Sequence, residues 1–398
     1  MTQISIYMGW VVLSSTILHP LGRFPGPRIN AITKLPYWIA ALNGKQVRWI
    51  QRLHSQYGPV VRFGPNDLSY TDPQAWKDIY GYQKGRKENP KDKRFYPEPE
   101  NGAPSLADIP DTARHTIVRR FMAPAFSDRT IKEQENAFQQ YAKLMVTGLR
   151  KVMQDRGNVD MVKVYNLTTF DIMAKLTYDG DSFGLLETSE YTPWVELIFK
   201  SISFLPLIQI MRHCPILGII FKKLEPKSVE RMRISHHKYC VDLLDKTLAK
   251  GPDYGDVWNP VLPRDNGSGD EKESLFTVPE LQTNAQLFMT AGTETSATLL
   301  SGLTYLLLRN PRSMRFLTEE IRGAFNSSSS EEMSFESLAR LPYLNACIEE
   351  GLRMYPPVPQ GFPRTIAEGG NTVLGTWLPE GVSRILYLTT SIHQGSWA

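Results

Sequence analysis

The chain has 398 residues, of which 41% are hydrophobic and 22% charged, so it can bury a substantial core as a globular protein. Its net charge of +4 is small and its basic residues are dispersed, which excludes a concentrated nucleic-acid-binding face. Its three cysteines, Cys214, Cys240 and Cys347, are too few and too far apart for a disulfide framework or a zinc-binding pattern.

The N-terminus is the most continuous apolar segment. Residues 4–21 carry no Asp, Glu, Lys or Arg, and about 18 such residues is the lower limit for spanning a bilayer. Basic residues follow from Arg23 onward, which by the positive-inside rule leaves the rest in the cytosol. We therefore predict a membrane anchor over residues 1–22 and one globular domain over 23–398, with a signal peptide or a buried helix as the alternatives.

Downstream of the anchor, a helix is predicted over residues 44–57 and short strands over 60–63 and 68–70. Residues 81–106 contain many Gly, Pro and charged residues, as expected of a long functional loop. The apolar segment 199–221 is broken by proline, so we expect it to roof an apolar pocket or to dip into a membrane interface.

A long helix is predicted to begin at the capping-box sequence Thr277-Val278-Pro279-Glu280 and to continue to Leu308. A second helix follows Pro311, a third covers residues 342–354, and short strands are predicted over 362–366, 371–374 and 382–388. These patterns predict a mainly α fold with small β-sheets.

The middle of the long helix reads Ala291-Gly292-Thr293-Glu294-Thr295-Ser296. Glycine, an acid and several hydroxyls weaken a buried helix, and such violations point to function. The small Ala291 and Gly292 would let a flat ligand approach the backbone, Thr295 would bond back to a carbonyl, and Glu294 would supply protons. The alternatives are a polar strip facing solvent or a helix that packs on its glycine.

Glu350 and Arg353 lie three residues apart, on one helix face, where they can pair. Alone this is a weak signal, because such pairs usually lie on solvated surfaces.

The order of these motifs resembles the cytochromes P-450, the haem-thiolate monooxygenases, in the style of filamentous-fungal members that tailor secondary metabolites. The matching sequences are Phe24-Pro25-Gly26-Pro27, His115-Thr116-Ile117-Val118-Arg119, Ala291 to Thr295, Glu350-Gly351-Leu352-Arg353 and Phe362-Pro363-Arg364.

The resemblance implies roles for individual residues. Thr295 is the hydroxyl that helps deliver protons to dioxygen, with Glu294 its acidic partner. Glu350 and Arg353 are a buried structural ion pair. His115, where many members have Trp, and Arg119 contact one haem propionate and Arg364 the other, as suits charge-assisted bonds. Without the family context, these three would be read as solvated surface residues.

The family also needs a cysteine thiolate as the axial iron ligand, in the setting Phe-x-x-Gly-x-x-x-Cys-x-Gly. None of the three cysteines stands in that setting. We therefore expect a P-450 fold without its C-terminal haem-ligand segment, with no metal ligand in the chain and poor haem retention.

The resemblance implies a monooxygenase that oxidises a lipophilic small molecule with dioxygen and electrons from an NADPH-dependent reductase, held on the endoplasmic reticulum membrane with its catalytic domain in the cytosol. The alternative is a catalytically inactive relic that survives as a membrane-bound binding or interaction protein. Hydrolases and nucleotide enzymes are disfavoured because no Gly-x-Ser-x-Gly, His-Glu-x-x-His or phosphate-loop sequence occurs.

Overall fold

A computed structural model of the chain describes residues 2–96, 102–178, 184–188, 205–214, 216, 219, 227–249, 255–258, 276–325 and 333–386. The architecture below refers to these residues. Of the predicted apolar roof over 199–221, only 205–214, 216 and 219 are described; the remainder lies outside.

The N-terminal helix is short. Helix α1, Thr2–Leu13, has 12 residues, and a π-helix of 5 residues, Ser14–Leu18, follows before the chain turns at Pro20. Twelve residues rise only about 18 Å, short of a hydrocarbon core of about 30 Å. In the described part of the chain, no helix has both the length and the apolar character to cross a bilayer. The predicted transmembrane helix over residues 1–22 is therefore not supported, and the domain division stays a prediction.

Helices dominate the first two thirds of the chain. Helix α4 begins two residues later than the helix predicted over 44–57 and ends where it was predicted to end. Helix α5 begins at Pro73, directly after its N-cap residue Asp72. The Asp72 carboxylate accepts a hydrogen bond from the Gln74 amide at 2.7 Å. The bounds are α2 Arg28–Ile32, α3 Leu35–Leu42, α4 Gln46–Tyr57, α5 Pro73–Tyr80, α6 Thr112–Met122, α7 Asp128–Glu133, α8 Glu135–Arg156, α9 Met161–Tyr178, α10 Leu185–Thr188, α11 Leu205–His213, α12 Lys227–Ala249 and α13 Gly255–Trp258, with a 3₁₀ turn at Ala123–Phe126.

The long helix is present as predicted. Helix α14, Val278–Arg309, has 32 residues, and Thr277 and Glu280 form both halves of the capping box at its start. Three helices follow it: α15 Pro311–Ala324, α16 Phe335–Ala339 and α17 Pro342–Met354. The predicted start and end of the helix over 342–354 are confirmed.

The strands form two small sheets. Their bounds are β1 Val60–Gly64, β2 Asp67–Tyr70, β3 Arg364–Thr365, β4 Asn371–Val373, β5 Thr376–Leu378 and β6 Ser383–Leu386. The first sheet has the order β1-β2-β6-β3, and β4 pairs with β5 in the second. Parallel pairing of β2 with β6, with Asp67 opposite Ser383, joins the N-terminal hairpin to the far end of the chain. Strand β5 was not predicted. The mainly α fold with small sheets is confirmed.

The largest apolar core lies between α9 and α14. Ala285, Met289, Thr293 and Ala297 recur every four residues on the buried face of α14. The Thr169 hydroxyl on α9 donates to the Thr293 carbonyl at 3.2 Å, and Tyr165 shares a hydrogen bond of 2.8 Å with Thr304. Because α9 fixes one face of α14, the opposite face is presented in a defined orientation.

Candidate cofactor and proton-delivery site

The exposed face of α14 carries Ala291 and Thr295, which lie one turn apart. Ala291 is exposed and Thr295 half-buried. The Thr295 hydroxyl donates to the Ala291 carbonyl at 2.6 Å, so the predicted bond back to a carbonyl is confirmed. A small side chain and a hydroxyl therefore share one accessible patch of the helix.

Gly292 faces in another direction. A Cβ atom at this position would lie 2.4 Å from Sδ and 2.9 Å from Cγ of Met173, on α9. Its missing side chain therefore makes room for the neighbouring helix, which was the packing alternative in the sequence. The prediction that Gly292 itself leaves room for a flat ligand is not supported by this contact, whereas Ala291 keeps its place on the open face.

Glu294 is a half-buried acid next to Thr295 in sequence. Burial raises the pKa of its carboxyl above the ordinary value, because desolvation disfavours the charged form. A carboxyl that keeps its proton to higher pH than an ordinary glutamate is suited to act as a proton donor.

This shift predicts an unusual pH dependence of stability. Because the folded-state pKa of Glu294 is raised, its ionisation opposes folding at neutral pH, and this penalty disappears as the pH falls through the raised value. We expect Glu294→Gln to raise the melting temperature at pH 7 and to lose this advantage near the ordinary carboxyl pKa of about 4.5.

Glu350→Gln is the matched control, and it should lower the melting temperature at pH 7. A hydrogen bond from Arg353 lowers the pKa of Glu350, so its charged form stabilises the fold at neutral pH and the contribution is lost in acid. Melting curves of both variants between pH 4 and pH 8 test the two expectations. Equal changes in melting temperature of the same sign at pH 7 would contradict them.

Cationic side chains converge beside this helix. His115 and Arg119 lie one turn apart on α6, and Arg364 lies on β3. Burial, and then the positive charges of Lys91, Arg364 and Arg119, lower the pKa of His115 to about 4. The charges of Lys91, Arg364 and Arg119 all act on His115, and Lys91 forms a β-bridge with Arg364, so we call these four residues the cationic cluster.

Lys91 is the member of the cationic cluster that the sequence did not reveal. Its backbone forms a β-bridge with Arg364, and the residue is 7% exposed. Burial and the charge of Arg364 lower its pKa to about 8. It stands in the loop of residues 81–106 and in no motif, so its only signal in the sequence is its place in a loop already expected to be functional.

Arg364 has an unused donor. Its Nη1 donates to the Asn89 carbonyl at 3.3 Å and its guanidinium lies 5.9 Å from the centre of the Tyr80 ring. Within the described part of the chain, its buried Nε has no hydrogen-bond partner. A buried donor without a partner costs free energy, and a carboxylate is the acceptor that an arginine fork fits best. The cationic cluster therefore fits the carboxylates of a haem.

Glu350 and Arg353 form a bidentate ion pair on α17, with both nitrogen–oxygen distances 2.6 Å. The side chains are 31% and 42% exposed. The pair predicted from the family resemblance is therefore formed, but the prediction that it is buried is wrong for the described structure. Gly351 between them is buried against Leu299 and Leu303 of α14, which turns the two charged side chains to the outer face of the helix.

The three cysteines have no setting suited to an axial ligand. Burial raises the pKa of Cys240 to about 11 and, with the charge of Glu320, also raises that of Cys347. Buried protonated thiols are inert, since the thiolate is the ligating form. Cys214 is exposed directly after α11. Within the described part of the chain, the cationic cluster therefore fits the haem carboxylates, whereas the two buried cysteines do not suit the axial position.

Comparisons with known proteins identify the family of the chain. The family model described as Cytochrome P450 matches residues 25–396. The chain is 43% identical to the cytochrome P450 monooxygenase efuB of Hormonema carpetanum over 368 residues, which cover 92% of this chain and 71% of that protein. It is 44% identical to the cytochrome P450 monooxygenase FUM2 of Gibberella moniliformis, over 91% of this chain and 75% of that protein. A versicolorin B desaturase of Dothistroma septosporum is 35% identical over 92% of this chain and 71% of that protein. The chain belongs to the cytochrome P450 family.

Proposed function

We propose that this P450 monooxygenase oxidises a lipophilic small molecule in fungal secondary metabolism, with electrons from an NADPH-dependent reductase. The proposal rests on two features together: the accessible Ala291–Thr295 patch and the cationic cluster with the unpartnered Arg364 Nε. The cluster is joined to α14 through Leu106, because Lys91 donates to the Leu106 carbonyl at 2.8 Å and the Leu106 amide donates to Asn284 at 2.9 Å. The Ala291–Thr295 patch suits proton delivery above a flat cofactor, and the cationic cluster suits the binding of that cofactor's carboxylates.

Haem, when bound, supplies the chemistry of dioxygen activation. The chain's own residues supply the rest. Arg364 and Lys91 hold carboxylates by charge-assisted hydrogen bonds, and His115 and Arg119 complete the positive field. Glu294 holds a proton at its carboxyl, and the Thr295 hydroxyl, fixed by the Ala291 carbonyl, passes protons at the open face of α14.

The inactive relic is the less favoured alternative, because the relatives are described as monooxygenases and the proton-delivery residues are all retained. Incubation of the haem-loaded chain with reductase, NADPH, isotopically labelled dioxygen and a panel of apolar polyketides and terpenoids distinguishes the two. The monooxygenase incorporates one labelled oxygen atom into a product; a binding protein retains a compound without labelling it.

Attachment to the cytosolic side of the endoplasmic reticulum membrane is also proposed. Support comes from apolar side chains near the N-terminus that are each more than half exposed: Ile6, Tyr7, Trp10, Ile17, Leu18, Ile29, Leu35, Ile39 and Leu42. Leu35, Ile39 and Leu42 repeat at helical spacing on one face of α3. An exposed apolar patch of this kind suits the interface of a bilayer.

The patch gives a prediction. We expect the double variant Ile39→Glu and Leu42→Glu to reduce flotation of the protein with phosphatidylcholine vesicles several-fold, because two charges would enter the interface. Val162→Glu on α9, where valine is 54% exposed, is the control and should float like the wild type. Equal flotation of all three proteins would contradict a role for this face.

A further inference from the structure

Three separate elements carry the cationic cluster. His115 and Arg119 lie on α6, Lys91 lies in the loop of residues 81–106, and Arg364 lies on β3. Because like charges repel, such a cluster needs other contacts that keep its elements close together. The β-bridge joins Lys91 to Arg364. Two further sets of contacts, one to α6 and one to Lys91, start from the first two turns of α14.

The first set of contacts orients α6. One carboxylate oxygen of Glu280, in the first turn of α14, completes the capping box, and the other accepts from the Arg114 Nη2 at 3.1 Å. Arg114 and the fully buried Val118 are four residues apart, so one face of α6 is held at two points. His115 and Arg119 each follow one of these two residues by a single position, about 100° further round the helix. The ion pair therefore helps to set the direction in which the two basic side chains point.

The second set of contacts fixes Lys91. Asn284, one turn after Glu280, is 1% exposed, and its Nδ2 donates to the Glu280 carbonyl at 2.7 Å. That bond sets the direction of the amide, whose Oδ1 accepts from the Leu106 backbone amide at 2.9 Å. The Leu106 carbonyl in turn accepts from the Lys91 Nζ at 2.8 Å. Three consecutive hydrogen bonds therefore lead from α14 to the ammonium group in the cationic cluster.

Glu280 belongs to both sets of contacts, because its carboxylate binds Arg114 and its carbonyl accepts from Asn284. The N-terminus of a helix also favours a negative charge, which stabilises the carboxylate in this place. A binding site is formed in advance when a second layer of residues holds the groups that contact the ligand.

We propose that Glu280 and Asn284 are positioning residues of the cationic cluster: Glu280 orients α6, Asn284 fixes Lys91, and together they hold the cluster ready for the carboxylates of a porphyrin. The inference rests on the proposed function, since it names the residues outside the cluster that form this part of the cofactor site in advance.

The first test needs no cofactor. NMR of the full chain with isotope-labelled histidine follows the titration of His115, whose pKa is lowered to about 4 by burial and then by the positive charges around it. We expect Asn284→Ala to raise this pKa by about one, because Lys91 loses its fixed position and its charge moves away. Ser301→Ala is the matched control on the same helix, since its hydroxyl bonds the Ala297 carbonyl, and it should leave the pKa unchanged.

The second test compares the binding of hemin with that of hemin dimethyl ester, whose carboxylates are blocked. Glu280→Gln keeps a capping-box side chain but removes the charge that binds Arg114. We expect the ratio of hemin affinity to ester affinity to fall about fivefold or more in Glu280→Gln and in Asn284→Ala, because fewer charge-assisted bonds to the carboxylates form. A variant that had lost stability alone would bind both porphyrins more weakly by the same factor.

An unchanged His115 pKa in Asn284→Ala, or an unchanged affinity ratio in both variants, overturns the inference. Should Asn284→Ala fail to fold, Glu280→Gln decides through the affinity ratio. A wild-type chain that binds hemin and its ester equally contradicts the carboxylate site of the proposed function, while the histidine titration still tests the positioning by Asn284. A wild-type chain that prefers hemin, with both variants preferring it equally strongly, contradicts only the positioning.

Discussion

Gly292→Val is expected to lower the free energy of unfolding by about 1–3 kcal/mol, the usual cost of overpacking a well-packed core. The physical reason is the 2.4 Å that would separate the new Cβ from the Met173 Sδ, and the 2.9 Å to its Cγ. Because Cγ lies close to the Met173 backbone, rotation of the end of the side chain does not relieve the overlap. Urea denaturation, together with thermal melting, measures the change.

Two variants make the cause specific. Met173→Ala in the Gly292→Val background should recover part of the loss, because it removes the atoms that collide. Gly148→Ala, in the middle of α8 where a Cβ would meet nothing within 4 Å, should instead stabilise the protein by about 0.5–1 kcal/mol through helix propensity. Destabilisation by Gly148→Ala, or no recovery with Met173→Ala, would contradict packing as the role of Gly292.

Thr295→Ala is expected to separate electron consumption from product formation. Its hydroxyl is the polar group fixed on the open face of α14, so its removal should lower product formed per NADPH by about a hundredfold, the lower end of the usual contribution of general acid catalysis. NADPH oxidation should continue, because nothing in the cationic cluster changes. Simultaneous assay of NADPH loss and product by mass spectrometry measures the ratio.

Thr295→Ser should retain most of the coupling, and Ser296→Ala, at the exposed neighbouring position, should retain all of it. A coupling ratio in Thr295→Ala equal to that of the wild type would remove Thr295 from the proton path, and would leave the carboxyl of Glu294 as the remaining candidate on this part of α14.

Local signals predicted the long helix well. The capping box at Thr277, the proline at its first turn and Asn310-Pro311 at its end specify a start and a stop by short-range chemistry, and α14 has these limits. The strand pair before α5 was equally local, because turn residues 64–67 separate two short apolar runs.

Tertiary packing decided what the sequence could not predict. Gly292 sits in a motif that suggests room for a ligand, yet the space it leaves is filled by Met173 from a helix more than 100 residues earlier. Lys91 and Arg364 are brought together by a β-bridge between distant segments, and no sequence periodicity predicts such a bridge. The apolar composition of the N-terminus is typical of a membrane-spanning segment. Helix α1, however, ends at Leu13 and is too short to span a bilayer.

The most direct test of the account is a titration of the protein with hemin and with hemin dimethyl ester, which lacks free carboxylates, followed by absorption of the bound porphyrin. We predict weak but saturable binding of one hemin per chain, with the ester bound at least about tenfold more weakly still, since buried charge-assisted hydrogen bonds are lost. In Arg364→Leu, the two affinities should become nearly equal. Equal binding of hemin and its ester by the wild type, or no saturable binding of either, would contradict the claim that the cationic cluster beside α14 is built to hold the carboxylates of a haem.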